Sequence, residues 1–182
     1  NWSDAVSVPK FDPSLGALFS IEFELRGHVT GLAKFESLDA GPSTVTMDLM
    51  TEIELQRPNA SPLVVSLPLL NSSDDVQPFD GVLDFGGDSG KTYADISANG
   101  TESVTSPPPA SDLTLFTGPG TIDLPVVATA QSSGTGAGNL IVQVNTQASA
   151  EVLVTYYYEI PEPASLSLLA LGGLLCIRRR RS

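Results

Sequence analysis

The residue types that carry chemistry are few in this chain, and counting them removes whole reaction classes. His28 is the single histidine and Cys176 the single cysteine among 182 residues. Nucleophilic hydrolysis needs a base beside the nucleophile, and no Gly-x-Ser-x-Gly elbow presents a serine. Zinc sites built from clusters of His and Cys are excluded by the same count. No intrachain disulfide can form, so the fold rests on its core and its strand pairing. The stretch "DFGGDSGKT" ends like a phosphate-binding loop at Gly90-Lys91-Thr92. Phe85, however, stands where that loop needs its first glycine. The following "TYADISANG" reads as short and turn-rich, not as a helix whose amino end could hold a phosphate. Its "DFG" stands without the other protein-kinase signatures. A Gly-rich turn between strands accounts for these residues.

Oxygen ligands, by contrast, are abundant. Asp80, Asp84 and Asp88 recur every four residues through "FDGVLDFGGDSG", and Asp74-Asp75 precede them. Calcium requires several converging oxygens, which such a loop could supply, although the spacing is not that of an EF-hand. The competing reading is of turn aspartates that bond their own backbone. Calcium is thus the one cofactor candidate. Acids for a glycoside-hydrolysing pair are present in number, but nothing singles out two of them, and the chain is read as non-enzymatic. Tyr157, outward on a late strand, could stack on a sugar ring, with Tyr156 and Tyr158 turned to the core.

Charge divides the chain in two. The first 160 residues hold five basic and 20 acidic side chains, a net charge of −15, while Arg178, Arg179, Arg180 and Arg181 follow in one run. So acidic a body repels nucleic acid and anionic lipid, and nucleic acid is excluded as a partner.

The elements that must position these residues read as strands. In "TVTMDLMTEIELQ", Val45, Met47, Leu49, Ile53 and Leu55 alternate with polar and acidic residues, the period of a half-buried strand. "LFSIEFEL" repeats it with Phe19, Ile21, Phe23 and Leu25 inward, and "AEVLVTYYYE" does so near the end, with "NLIVQVNTQ" as its expected partner. "PLVVSL", "DLTLF" and "TIDLPVVAT" are shorter candidates. "NSSDDVQP", "FGGDSGK" and "SSGTGAG" fall between as turns or loops, the last as a flexible hairpin, and "TSPPPAS" as a stiff crossing. Seven or eight strands with frequent turns predict an all-β fold, an antiparallel β-sandwich over residues 1–160, followed by a single C-terminal hydrophobic helix within residues 161–182.

Ala164 to Ile177 is a 14-residue run without charge. As a helix it would be about 21 Å long, against about 30 Å for a bilayer's hydrocarbon layer. Ile160 and Pro161 lengthen it, and the arginines that follow can snorkel outward. A helix buried in the protein core is disfavoured, because four consecutive arginines cannot be buried with it. Clustered arginines stay on the cytoplasmic side, which places the body across the inner membrane. Export then requires a leader. The chain opens on Asn1 with no apolar targeting segment, so a processed or truncated amino terminus is expected.

Pro161-Glu162-Pro163, the apolar run and Arg178 to Arg181, in that order, resemble the PEP-CTERM sorting signal of Gram-negative bacteria. The resemblance implies a transmembrane segment read by an exosortase, a membrane protease acting near Pro161-Glu162-Pro163. It further implies an exported protein, transiently anchored in the inner membrane and then passed to the cell envelope or extracellular matrix, commonly in biofilm-forming species. In that setting Glu162 is a recognition residue, and exopolysaccharide is a candidate partner. The body, through "NWSDAVSVPKFDPSLGAL", "FDGVLDFGGDSGKTY" and "GPGTIDLPVVATAQSSGTGAGNLIVQVNTQASAEVLVTYYY", is similar to the choice-of-anchor E domain, an extracellular β module. That family carries a further strand ahead of the Trp-Ser position, and no activity comes with its name.

Overall fold

The computed structural model describes residues 1–106 and 111–161. Among these residues eight strands form two antiparallel sheets: β1 (Trp2–Pro9), β2 (Ala17–Ser37), β3 (Ser43–Gln56), β4 (Pro62–Ser66), β5 (Leu69–Val76), β6 (Gly90–Ser106), β7 (Thr121–Thr135) and β8 (Leu140–Glu159). One sheet runs β1-β7-β3-β4, with β5 sharing the β3 edge that β4 occupies further along; the other runs β6-β2-β8. Side chains from both sheets meet between them. Alternation does the sorting, as expected: Val45, Met47, Leu49, Ile53 and Leu55 of β3 are all buried, as are Ile21, Phe23 and Leu25 of β2.

The core falls into two clusters. One gathers Phe23, Leu25, Ile53, Leu55, Phe116 and Leu124; the other gathers Phe35, Val45, Met47 and Val76. Between them the interior narrows to small and polar groups. Gly27 of β2 pairs with Gly100 of β6 on one side and Ala150 of β8 on the other. A Cβ on Gly100 would lie 2.7 Å from Ser66 Oγ and 3.1 Å from the Pro68 nitrogen. Only hydrogen at these positions lets the β4–β5 link pass so close, and Pro68 there accepts the Thr51 N–H at 3.1 Å.

Several sequence expectations are corrected. Phe19 is not in the core; it is 50% exposed, because a bulge between Leu18 and Ser20 makes it the extra residue against β8. "NLIVQVNTQ" is no separate partner of "AEVLVTYYYE": both belong to β8, whose neighbour is β2. "SSGTGAG" is no hairpin loop: Ser132 to Thr135 are the end of β7, paired with β3, and the residues after them carry the chain to β8 in the other sheet. "TYADISANG" lies wholly inside β6, where pairing along β2 overrides the Asn-Gly turn signal. Most of "NSSDDVQP" is β5, an edge strand whose polar side chains pair with those of β3, as Thr46 with Ser73 (2.8 Å). "DLTLF" gives the one-turn helix α1 (Ser111–Leu115) instead of a strand. That turn brings Asp112 and Phe116 close together, the first to meet Arg57 and the second to pack on Phe23. The expected C-terminal helix and part of the "TSPPPAS" crossing lie outside the described residues. No helix among the described residues is long and apolar enough to cross a membrane.

Candidate functional site

The carboxy end of β8 is held on both sides. Tyr156 donates its hydroxyl to the Pro9 carbonyl at 2.8 Å, and burial pushes its pKa up to about 12. The Phe11 ring lies 5.9 Å from that of Tyr156 and 5.1 Å from that of Tyr158. Tyr157 points to the outer face, as its alternation requires, and donates to Glu22 at 2.6 Å. Pairing with β2 continues to Glu159 opposite Ala17. Beyond it, Ile160 is 73% exposed and Pro161 is exposed too. The body therefore delivers Pro161 two residues past an anchored strand, open to a partner. Glu162, Pro163, the apolar run and Arg178 to Arg181 lie outside the described residues.

At the opposite end of the body, Asp80, Asp84 and Asp88 occupy the link between β5 and β6. Asp80 accepts the Val82 N–H and Asp84 the Gly86 N–H, each at 2.9 Å, while the Asp88 carbonyl accepts the Gln77 N–H. Two of the three carboxylates thus act as turn aspartates. Among the described residues no group of three or more His, Cys, Asp or Glu is arranged to hold a metal ion.

The carboxylate that organises this loop is one that sequence reasoning passed over. Glu36 is fully buried and accepts the Phe85 N–H at 2.7 Å and the Ser89 hydroxyl at 2.6 Å. Phe85 is held in the left-handed region (φ 58°), with Lys34 4.2 Å above its ring. Gly90 is required beside this carboxylate, since a Cβ would lie 2.4 Å from Glu36 Oε2. Gly90 of "DFGGDSGKT" therefore serves a buried acid rather than a phosphate. Alternation alone places Glu36 on the outer face; its burial is decided by the loop folding over it. Nearby, Asp74 accepts from both Lys91 and Tyr93. Burial alone would raise the Asp74 carboxyl, but those two hydrogen bonds bring it below the usual range.

The outer face of β6-β2-β8 also carries polar groups. His28 is hydrogen-bonded to Asn99, and Arg26 pairs with Glu24 and Glu151. Arg26, His28, Asn99 and Glu151 line a shallow depression with Thr101 and Ser149.

The geometry defines an antiparallel β protein whose last strand hands an exposed segment directly to whatever follows it. Residues 159–182 match the PEP-CTERM protein-sorting motif. A motif of that kind implies sorting by an exosortase system to the cell envelope. No curated protein and no solved structure matches the chain.

Proposed function

We propose that this chain is a non-catalytic, exported surface or matrix protein, delivered through its tail. The motif match at residues 159–182 carries the reading, together with its position. It begins on the last residue of β8, so recognition of Pro161-Glu162-Pro163 need not unfold the body. The 14 uncharged residues from Ala164 and the four arginines serve as a membrane stop with the carboxy end inside. An exosortase-type membrane protease is the partner, after passage through the export machinery. The body is read as a choice-of-anchor E type module; its two antiparallel sheets and acidic surface suit an extracellular setting. Mass spectrometry of the mature carboxy terminus from a producing cell tests this. An end near Pro161 supports processing, and an intact Ser182 on surface-located protein counts against it.

A second reading, a polysaccharide-binding module of a biofilm matrix, has one observation in its favour. The outer face of β6-β2-β8 sets Asn99, Thr101, Ser149 and Tyr157 on one surface, hydroxyl and amide groups beside an aromatic ring. Calorimetry of the full chain with purified exopolysaccharide, and separately with calcium, decides it: heat with the first supports binding, and no heat leaves the structural role.

A further inference from the structure

We propose that the end of the body from which the tail departs seats on the lipid surface itself, through an apolar collar around the end of β8. This rests on the reading of the tail as a membrane segment, and adds that the body stands on the bilayer in one orientation.

The collar is assembled by pairing. Ala17 and Leu18 lie opposite Glu159 and Tyr158, and the bulge next to them turns Phe19 out of the sheet. Leu15, in the 3-10 turn just before β2, is 51% exposed, Phe19 50%, and Ile160 73%. Tyr157 and Tyr158 add aromatic rings with polar tips, the side chains that suit a lipid–water boundary. Of the carboxylates near the collar, Glu22 accepts from Tyr157 and Asp12 accepts the Ser14 N–H at 2.8 Å, while Glu159, opposite Ala17, stands exposed.

Chain length leaves little choice of position. From Ile160 to Ala164, where the uncharged run starts, is at most about 14 Å even fully extended. A tail in the bilayer therefore holds this end of the body at the headgroups. Charge favours the same posture. Asp39, Asp74, Asp75, Asp80, Asp84 and Asp88 all gather at the far end, around the start of β3 and the β5–β6 link. β2 runs between the two ends for 21 residues, up to about 70 Å at the rise of an extended strand. With a screening length of about 8 Å at physiological salt, acids that distant do not repel anionic lipid.

The test uses the full chain reconstituted in phosphatidylcholine liposomes, with brominated lipids as quenchers of tryptophan emission. In a Trp2→Phe background, single tryptophans are placed by Phe19→Trp (collar), Val82→Trp (far end) and Leu169→Trp (tail). Circular dichroism verifies that each variant keeps its β signature. Emission lost at positions 19 and 169, and retained at 82, is the expected result. Loss at 169 alone overturns the collar while sparing the tail reading. Loss at none of the three overturns both. Loss at 19 and 82 together means that the body lies flat, which also overturns the upright seating. Quenching at 169 with a 19-to-19 cross-link between Phe19→Cys, Cys176→Ser chains would assign the collar to a second copy instead.

Discussion

Arg57 and Asp112 show how much of this body depends on single side chains invisible to alternation. Arg57 donates from Nε to Oδ1 and from Nη2 to Oδ2 of Asp112, both at 2.7 Å, and a third donor reaches the Pro62 carbonyl at 2.6 Å. The bidentate bonds raise the Arg57 pKa, and the Asp112 side chain is only 2% exposed. Removing one partner strands a buried charge. Arg57→Ala or Asp112→Ala should each cost about 3–5 kcal/mol, read as a lowered denaturant midpoint. Tyr156 sets a limit on the alkaline side. Its raised pKa contributes stability that is fully present below pH 10 and lost as pH climbs through about 12. Wild type should therefore lose stability across that window by denaturant titration, and Tyr156→Phe should lose less of it. Neither residue was legible as structural in the sequence. Arg57 sits in a turn-like "RPNASP" and Asp112 in "DLTLF", and nothing local joins positions 55 residues apart.

At the scale of elements, the alternating residues of β2 and β3 were readable because period two needs no knowledge of partners. What failed was the reading of strand limits from Gly, Asn and Ser. "ANG" within β6 marks a turn in an isolated chain, yet Gly100 is there because Ser66 and Pro68 press against it from the other sheet. Gly100→Ala should be destabilising by about 1–3 kcal/mol through overcrowding, despite alanine's ordinary tolerance in strands. A melting temperature equal to that of wild type would show that the narrow interior can open. β5 teaches the same lesson. Its Asn, Ser and Asp residues look like a turn, and become a strand because Thr44, Thr46 and Asp48 of β3 pair with them. Acid should act on the adjoining contact. Asp74 is lowered, so the stability from its bonds to Lys91 and Tyr93 is fully present above the ordinary carboxylate value and is lost as pH falls below that value, through the lowered one.

At the scale of the molecule, the function proposed above makes body and tail separable parts. β8 ends at Glu159, and among the described residues both core clusters are built from residues before it. Deleting residues 161–182 should leave the thermal transition of the body where it was while abolishing its envelope fractionation. A lowered transition would mean that the tail packs on the body. The tail was legible because its signal is composition in order: Pro161-Glu162-Pro163, an uncharged run, four arginines, each recognisable without a fold. The alternation of β2 and β3 was equally a property of the chain alone, since the side chains of a strand change face at every residue. Which strands become neighbours, where a bulge expels Phe19, and why Glu36 is buried were decided only in three dimensions. Those outcomes depend on contacts between residues far apart in the chain, and local pattern carries no information about which distant surface will arrive.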